Sequence, residues 1–448
     1  MVAPGASGPR HDRRLRPRER FGQFLKYVRE VFDLTALLHG VRDRRPRPQI
    51  PTAAVLGSLV FGAALRVRSL NALEGELQHR PFQRLLGRRV CEGVKTFSAD
   101  TIARVLDALH TEQIGQQLHR LVRTADRNKA FREGLRAGLR CVALDGWEPL
   151  CSHKRQCPGC FRRQRDSHTP PEFYHRLVVA LLLGRDSEVV LGVEPQLSLA
   201  QRHSAGELQA TTDEGELTAA LRCVRGLTER YGRLIDLFVL DGLYPNGPMM
   251  TAITQCGRSA VITLRKESDE PLKEALALSR NLPPTGEWDD IERREHVRAW
   301  DIRDLRTLGT FDGPVRVARF EVTPFGATAA PHTWCAAVIG PAASTLSPRA
   351  VLDIQRSRWH IENTGFHQWT VHYNLARVFH HRPDAVLNVA LLWMLAFNLM
   401  QLFVYRRLRR RRHPKDPCQT ILHIVSQMRA GLAALRVRVA WPAPADTS

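Results

Sequence analysis

The sequence predicts an α/β protein with a central mixed β-sheet, a helical region before the sheet and a β-rich segment inserted into it. Three observations predict this class. A helical pattern fills the first third of the chain. Short apolar runs of strand length then alternate with helical periodicity, and a later segment is rich in Pro, Gly and Trp. At 448 residues the chain is long enough for two or three domains.

The charge balance indicates an anionic partner. The chain has 66 Lys plus Arg against 45 Asp plus Glu, a net charge of +21 at pH 7, with 43% hydrophobic residues. That hydrophobic fraction is enough for a normal core, whereas the surplus of positive charge causes self-repulsion unless a partner neutralises it. A GC-rich genome would explain Arg in place of Lys but not the excess over acids. A polyphosphate backbone is therefore the expected partner.

The cellular location is predicted from the cysteines and from the apolar segments. Nine cysteines are spread along the chain, which is typical of a reduced, cytoplasmic protein, and the N-terminus lacks the apolar region of a secretory signal. Residues 385–405 have the length of a membrane span, but Asn388, Asn398 and Gln401 interrupt them. We therefore predict a buried helix there and no membrane partner.

The domain organisation follows from shifts in pattern and composition. Residues 49–133 are helical and basic, which suits a DNA-binding domain, although a helical interaction domain fits equally well. The predicted order is a basic leader and linker at 1–48, the helical domain at 49–133, the first part of an α/β core at 134–282, a β-rich insertion at 283–342, the C-terminal helices of the core at 343–405, and a basic, mobile tail at 406–448.

The order of elements in the core is that of an RNase H-like sheet. Three strands are predicted first, in LRCVALDGW, FYHRLVVALLLG and EVVLGVEPQ, and a helix, a strand, a second helix and a fifth strand follow. Farther along, Ser347 and Pro348 supply an N-cap and a first-turn proline for a helix that runs through RWHIEN.

Two aspartates share a setting that favours metal binding. Asp145 and Asp241 each follow an apolar strand and precede a glycine, in VALDGW and FVLDGLY. A carboxylate at the end of a buried strand needs a compensating charge, and Mg²⁺ or Mn²⁺ would supply it. Neighbouring strands would bring both carboxylates to one sheet edge. Taken singly, each Asp-Gly pair is more often a turn.

Glu362 is the candidate for a third acid on a helix that crosses the same edge. It would complete a site for two metals about 4 Å apart, one activating the attacking oxygen and one stabilising the leaving oxygen. Arg358 lies one turn before Glu362 on the same helical face. In isolation these two residues would more often be a surface ion pair. The conjunction of three acids with a basic chain is what favours a catalytic site.

Four motifs carry a resemblance to a known family. The segments VALDGWEPLCSHKRQCPGCFRR, YHRLVVALLL, VLDGLYPNGPMM and RSRWHIENTGFH resemble those of bacterial insertion-sequence transposases with a DDE catalytic core, of the insertion-sequence-four-like group. The resemblance runs from residue 98 to residue 403. It implies an RNase H-like fold with a β insertion, Mg²⁺-dependent cleavage at terminal inverted repeats, strand transfer into target DNA, and a dimer on double-stranded DNA. It also implies Asp145, Asp241 and Glu362 as the metal ligands.

The last helix departs from the pattern of that group. Members of the group that this chain resembles often carry Tyr, Arg, Glu and Lys at four positions of this helix. Arg358 and Glu362 match the second and third positions. Gln355 stands at the Tyr position and Trp369 at the Lys position. The departure leaves the metal ligands intact but puts the DNA phosphate contacts of this helix in question. Arg358 and His367 are the DNA-binding candidates here, with Arg377 as an alternative to His367.

A cysteine pair suggests a second metal. Cys157 and Cys160 have the spacing of a zinc knuckle, and Cys151, His153 or His168 could complete a structural Zn²⁺ site. A second Cys pair is missing, so a reduced turn without metal fits about as well, and a redox pair fits less well.

Three functions remain open at this stage. A transposase is favoured, a nuclease from a domesticated element would use the same chemistry, and a non-catalytic DNA-binding protein would use the same basic surface.

Overall fold

The computed structural model describes residues 19–88, 96–184, 187–265, 269–326, 330–377, 379–409 and 419–441. The helices are α1 (Arg20–Phe32), α2 (Leu34–His39), α3 (Thr52–Ala64), α4 (Leu70–Gln78), α5 (Arg80–Leu85), α6 (Ala99–Ala108), α7 (Thr111–Arg127), α8 (Leu199–Ser204), α9 (Glu216–Tyr231), α10 (Gly247–Gln255), α11 (Glu270–Ser279), α12 (Pro348–Ser357), α13 (Pro383–Leu402) and α14 (Ile421–Ala433). The strands are β1 (Cys141–Trp147), β2 (Cys151–Ser152), β3 (Phe161–Arg163), β4 (Glu172–Tyr174), β5 (Leu177–Leu183), β6 (Val189–Pro195), β7 (Leu237–Leu240), β8 (Ser259–Leu264), β9 (Gly286–Asp290), β10 (Glu295–Leu305), β11 (Val315–Pro324) and β12 (His332–Ile339).

The central sheet has nine strands in the order β6-β5-β1-β7-β8-β12-β11-β10-β9. β1 pairs antiparallel with β5 and parallel with β7, and β7 pairs parallel with β8. The five strands predicted for the core therefore lie side by side in the predicted RNase H-like arrangement, which confirms the fold class. β5 and β8 are buried along their whole length, whereas β1 and β6 also carry Asp145 and Glu194.

The β-rich segment extends this same sheet. β12 pairs antiparallel with β8, and β11, β10 and β9 continue the sheet outward. The strands predicted in VRVARFEVTPF and HTWCAAVIG are β11 and β12, whereas β9, β10 and the small β2-β4-β3 sheet were not predicted. Those short or strongly charged strands lack the alternating apolar pattern that marks a strand in a sequence.

The apolar stretch near the C-terminus forms α13, which passes between the N-terminal helices and the sheet. It packs against α3, α6 and α7 and against β6. It is long and apolar enough to cross a membrane, but 94% of its most apolar window is buried inside the protein. Asn398, one of the polar residues of α13, has a structural role. Its side chain accepts from the N–H of Val190 on edge strand β6 and donates to the C=O of the same residue, each at 2.8 Å. The predicted buried helix is confirmed.

The described part of the C-terminal tail folds back on the N-terminal helices. α14 packs against α1 and α5, and Val439 N–H donates to Arg84 O at 2.8 Å. The prediction of a mobile tail is therefore wrong for residues 421–433. The basic composition of the tail drew attention away from the apolar residues that α14 buries. The basic leader at 1–18 and the Arg-rich segment at 410–418 lie outside the described residues.

Candidate functional site

The structure brings the ends of β1 and β7 together at one edge of the sheet. Their parallel register pairs Ala143 with Val239, and each aspartate lies two residues farther along its chain. Asp145 stays within β1, which continues to Trp147, while Asp241 directly follows β7 and precedes a turn. The turn interpretation of Asp-Gly therefore fits Asp241 and does not fit Asp145.

Glu362 reaches this edge from the segment that follows α12. Ser347 caps α12 by accepting from Ala350 N–H at 3.2 Å, as predicted, and the chain then passes into a π-helical segment, Ile361–Phe366, that contacts β1. π-Helical turns inside helices are frequent at functional sites because the wider turn redirects side chains. Glu362 lies in the first turn of this segment and is half-buried.

Arg358 joins the two sides of the site. Its Nη1 donates to Asp145 Oδ2 at 3.0 Å, and its Nη2 pairs with Glu362 Oε1 at 2.7 Å. The Arg358 side chain is 4% exposed, so it differs from the surface ion pair that the spacing alone would suggest. The arginine holds carboxylates from a strand and from a distant helix in one place.

A fourth acid, Glu216 at the start of α9, also lies at this edge. Tyr244 donates its hydroxyl proton to Glu216 Oε1 at 2.6 Å. A Cβ at Gly146 would collide with Glu216 Oε2, so the glycine after Asp145 makes room for this carboxylate. Glu216 was missed in the sequence because an acid in the first turn of a helix is common for helix stability alone.

We call Asp145, Asp241, Glu216 and Glu362 the acid cluster. Burial raises the pKa of Asp145 to about 7; Arg358 opposes that rise, and the other three acids add to it. Burial also raises the pKa of Tyr244, with contributions from Glu216, Asp145 and Asp241, so its hydroxyl stays protonated and donates. Four carboxylates around one guanidinium leave an excess of negative charge, and hard divalent cations are the ions that such oxygen donors fit.

The two positions that depart from the expected signature are both buried and contact other parts of the chain. Gln355 is buried and its amide donates to Cys335 O on β12 at 2.9 Å. Trp369 is fully buried against Trp147. His367 is exposed, with its ring 5.9 Å from that of His372. The role of His367 in DNA binding stays a prediction.

The cysteine pair lies between β2 and β3 in the chain. Cys157 Sγ and Cys160 Sγ are 3.5 Å apart, and His175 Nε2 is 3.3 Å from the first and 3.5 Å from the second. His381 Nε2 is 4.0 Å from Cys160 Sγ. We call these four residues the thiol–imidazole group. Cys151 is exposed on β2 and stands outside it.

The histidines considered from sequence also lie elsewhere. His153 approaches Glu172, with Nε2 and Oε1 4.0 Å apart, and His168 is exposed in the loop that leads to β4. His175 and His381 replace them as the neighbours of the cysteine pair, and proximity in the sequence was a poor guide to proximity in the fold.

The fold and the site together define a class, α/β proteins with an RNase H-like sheet and a carboxylate cluster at the edge where β1 and β7 end. Within the chain, residues 207–399 match the family model described as "Transposase DDE domain". The matched segment contains Glu216, Asp241 and Glu362, and it begins after Asp145. The match supports a transposase of the DDE type and hence an enzyme that acts on DNA. No curated protein shows significant similarity to the chain.

Proposed function

We propose that this protein is a transposase that cleaves DNA at the ends of an insertion-sequence element and transfers those ends into target DNA. The observation that carries the proposal is the acid cluster. Carboxylates from β1, from the end of β7 and from the segment after α12 lie at one sheet edge, and the last two belong to the segment whose sequence matches the DDE domain. The motif resemblance to the insertion-sequence-four-like group supports the same activity.

Asp145, Asp241 and Glu362 would hold divalent metal, Mg²⁺ or Mn²⁺. Bound divalent ions would polarise the scissile phosphate and stabilise the charge that develops in the transition state. The excess of carboxylates over arginines in the acid cluster fits this requirement, and after burial these neighbouring acids are a second cause of the raised pKa of Asp145.

The chain's own residues would prepare the site for the metal. Arg358 orients Asp145 and Glu362 toward each other, and because both of its Nη atoms bond carboxylates, its primary role is positioning. A contact between Arg358 and DNA would require it to exchange one carboxylate for a phosphate. Tyr244 fixes Glu216 beside Asp145, so this fourth acid adds negative charge and can share the ligation or accept a proton.

Double-stranded DNA, at the terminal inverted repeats and at the target, is the proposed partner. The net charge of +21 favours binding to phosphate backbones, with the helical region at 49–133 as the proposed DNA-binding domain. Two element ends must be cut in concert, so we propose a homodimer on DNA, working in the cytoplasm at the nucleoid without a membrane partner. The Zn²⁺ predicted at Cys157 and Cys160 would be structural, because their thiols stand outside the acid cluster.

The test uses purified full-length protein and duplex DNA that carries the inverted repeats flanking its coding sequence, with a supercoiled plasmid as target. With Mg²⁺, wild-type protein is expected to cleave the ends and join them to the plasmid. Asp145→Asn, Asp241→Asn and Glu362→Gln should each lower both rates at least about a thousandfold, or about 4 kcal/mol of activation free energy, while DNA binding persists. Asp312→Asn and Glu229→Gln, at exposed positions, are the matched controls.

Each alternative function gives a different result in that assay. Hydrolysis without joined product, in wild-type protein and at every end tested, would indicate a nuclease. A non-catalytic DNA-binding protein would give a third result. Wild-type protein would bind DNA without Mg²⁺-dependent cleavage, and all three variants would bind DNA as wild-type protein does.

A further inference from the structure

The thiol–imidazole group is assembled from three separate places in the chain. Cys157 and Cys160 lie on the knuckle between β2 and β3, His175 lies between β4 and β5, and His381 lies just before α13. Cys160 and His381 are 221 residues apart in sequence, yet their side chains meet. Four side chains of metal-ligand type that converge from such distances point to a common ligand.

The spacings between these atoms fit one tetrahedral ion. Zn–S bonds of about 2.3 Å and Zn–N bonds of about 2.0–2.1 Å place tetrahedral S···S and S···N edges at roughly 3.5–3.8 Å. The separations run from 3.3 Å for Cys157 Sγ to His175 Nε2 up to 4.0 Å for Cys160 Sγ to His381 Nε2, and one ligand atom from each of Cys157, Cys160 and His381 lies within 4.8 Å of the other two. A disulfide needs about 2.05 Å between the sulfurs, well below their 3.5 Å.

The backbone around the knuckle is built to present these ligands. Cys157 N–H donates to Cys160 Sγ at 3.3 Å, which stabilises a thiolate at that position. Ser198 Oγ donates to Pro158 O at 2.7 Å and thereby ties the knuckle to α8. A Cβ at Gly159 would lie 2.8 Å from Pro383 Cβ, so the glycine lets the knuckle pack directly on the start of α13.

We propose that Cys157, Cys160, His175 and His381 bind one structural Zn²⁺, which fastens the segment after β1 to the segment that precedes α13. Two thiolates and two imidazoles are a donor set for Zn²⁺ and a poor one for Mg²⁺, which distinguishes this site from the acid cluster. Four protein ligands close the coordination sphere, so the ion has no open position for substrate.

The position of the zinc gives it a consequence for the acid cluster. The knuckle follows the strand that carries Asp145, and His381 follows the π-helical segment that carries Glu362. A zinc ion that joins these two segments would hold the strand and the segment at a fixed separation. This consequence rests on the proposed function, whereas zinc binding itself does not.

The first experiment measures zinc in full-length protein purified without added metal, by inductively coupled plasma mass spectrometry. Wild-type protein is expected to contain one zinc per chain, and Cys160→Ser and His381→Asn to contain at most about a tenth as much. Cys151→Ser and His153→Asn change the same type of residue in the same region, outside the group, and should keep the full amount. Equal zinc in Cys160→Ser and wild-type protein would overturn the proposal, as would zinc-free wild-type protein with a Cys157–Cys160 disulfide.

A second set of measurements covers variants that fold poorly. Cys160→His replaces one zinc ligand by another and should recover solubility and most of the zinc, which a merely structural cysteine would not allow. Co²⁺ exchanged into wild-type protein should give the visible absorption of a tetrahedral site with thiolate ligands, and His175→Asn should weaken it. An octahedral Co²⁺ spectrum in wild-type protein would contradict the ligand set.

The two proposals fail separately. Asp145→Asn should keep its zinc, since it leaves all four ligands in place. Zinc-loaded protein that neither cleaves nor joins DNA would count against the proposed function alone. Active wild-type protein that lacks zinc would count against the zinc site alone.

Discussion

Arg358 Nη1 donates to Asp145 Oδ2 at 3.0 Å although the two residues are 213 positions apart in sequence. The bond joins the strand at the centre of the sheet to the segment that carries Glu362. The arginine side chain is 4% exposed and that of Asp145 is 14% exposed, so water screens this pair weakly. Removing one partner of such a pair leaves an uncompensated charge, which costs more than the pair itself contributes.

Replacing the arginine should therefore destabilise the protein, and a divalent cation should offset the loss. Arg358→Gln is expected to lower the free energy of unfolding by about 3 kcal/mol in chelator at pH 7.5. Added Mg²⁺ should recover more stability in the variant than in wild-type protein, because the cation compensates the same carboxylates. Urea denaturation with and without Mg²⁺ measures both effects. Arg298→Gln, whose exposed pair with Glu321 is 3.4 Å long, should lose at most about 1 kcal/mol and show no such recovery.

The raised pKa of Asp145 predicts how stability changes with pH. A folded-state pKa of about 7 lies above the unfolded value near 3.9, so the folded protein binds more protons between these pH values. The contribution of Asp145 to stability thus falls as pH rises from about 4 to about 7 and is constant above that. In chelator, Asp145→Asn should gain stability relative to wild-type protein between pH 5 and pH 8. A difference that is flat across this range would show that the carboxyl has an ordinary pKa.

The same pKa bears on metal binding and activity. A protonated carboxyl is a poor metal ligand, so Mg²⁺ affinity and the cleavage rate should both increase as pH rises through about 7. If the Mg²⁺ concentration needed for half-maximal cleavage is unchanged between pH 6 and pH 8, Asp145 is not a metal ligand.

Tyr244 and Glu216 provide a test of the fourth acid. Tyr244→Phe removes the hydroxyl that holds Glu216 and should lower the cleavage rate about tenfold or more, since hydrogen bonds to charged groups contribute about 1.5–3 kcal/mol. Glu216→Gln should lower it further, with DNA affinity unchanged in both. Tyr231→Phe is the matched control, because it loses a buried hydroxyl bond of 2.8 Å to Leu191 O away from the acid cluster. If both Phe variants reduce the rate equally, Glu216 has only a structural role.

Local pattern was a good guide to the five strands of the RNase H-like part of the sheet. β1, β5, β6, β7 and β8 are mostly apolar runs, and these runs predict the positions of Asp145 near the end of β1 and of Asp241 directly after β7. The pairing of β8 with β12 was beyond such reasoning, because register between distant strands depends on tertiary packing and not on the pattern of either strand.

The residues that sequence reasoning missed are those whose signal exists only in three dimensions. Glu216 resembles any first-turn acid, and its role becomes visible through Tyr244 and the space at Gly146. His175 and His381 belong to no spacing motif with the cysteine pair, so nearer residues such as His153 were favoured. Glu362 was predicted from its conjunction with the two strand-end aspartates and the basic chain, and family motifs supported it, since its spacing from Arg358 alone fits a surface pair.

The polar residues inside α13 give a final prediction that concerns the fold. Asn398 satisfies the N–H and the C=O of Val190, a fully buried residue on edge strand β6. Asn398→Leu leaves both groups unpaired and should lower the free energy of unfolding by about 2–4 kcal/mol at any pH between 5 and 8.

Asn398→Asp can still accept from the N–H, and when protonated it can also donate to the C=O. Burial should raise its folded pKa above the unfolded value, so this variant should be more stable at pH 5 than at pH 8, each relative to wild-type protein. Urea denaturation at the two pH values measures both variants, and wild-type stability in Asn398→Leu would mean that the side chain does not bridge α13 to the sheet edge.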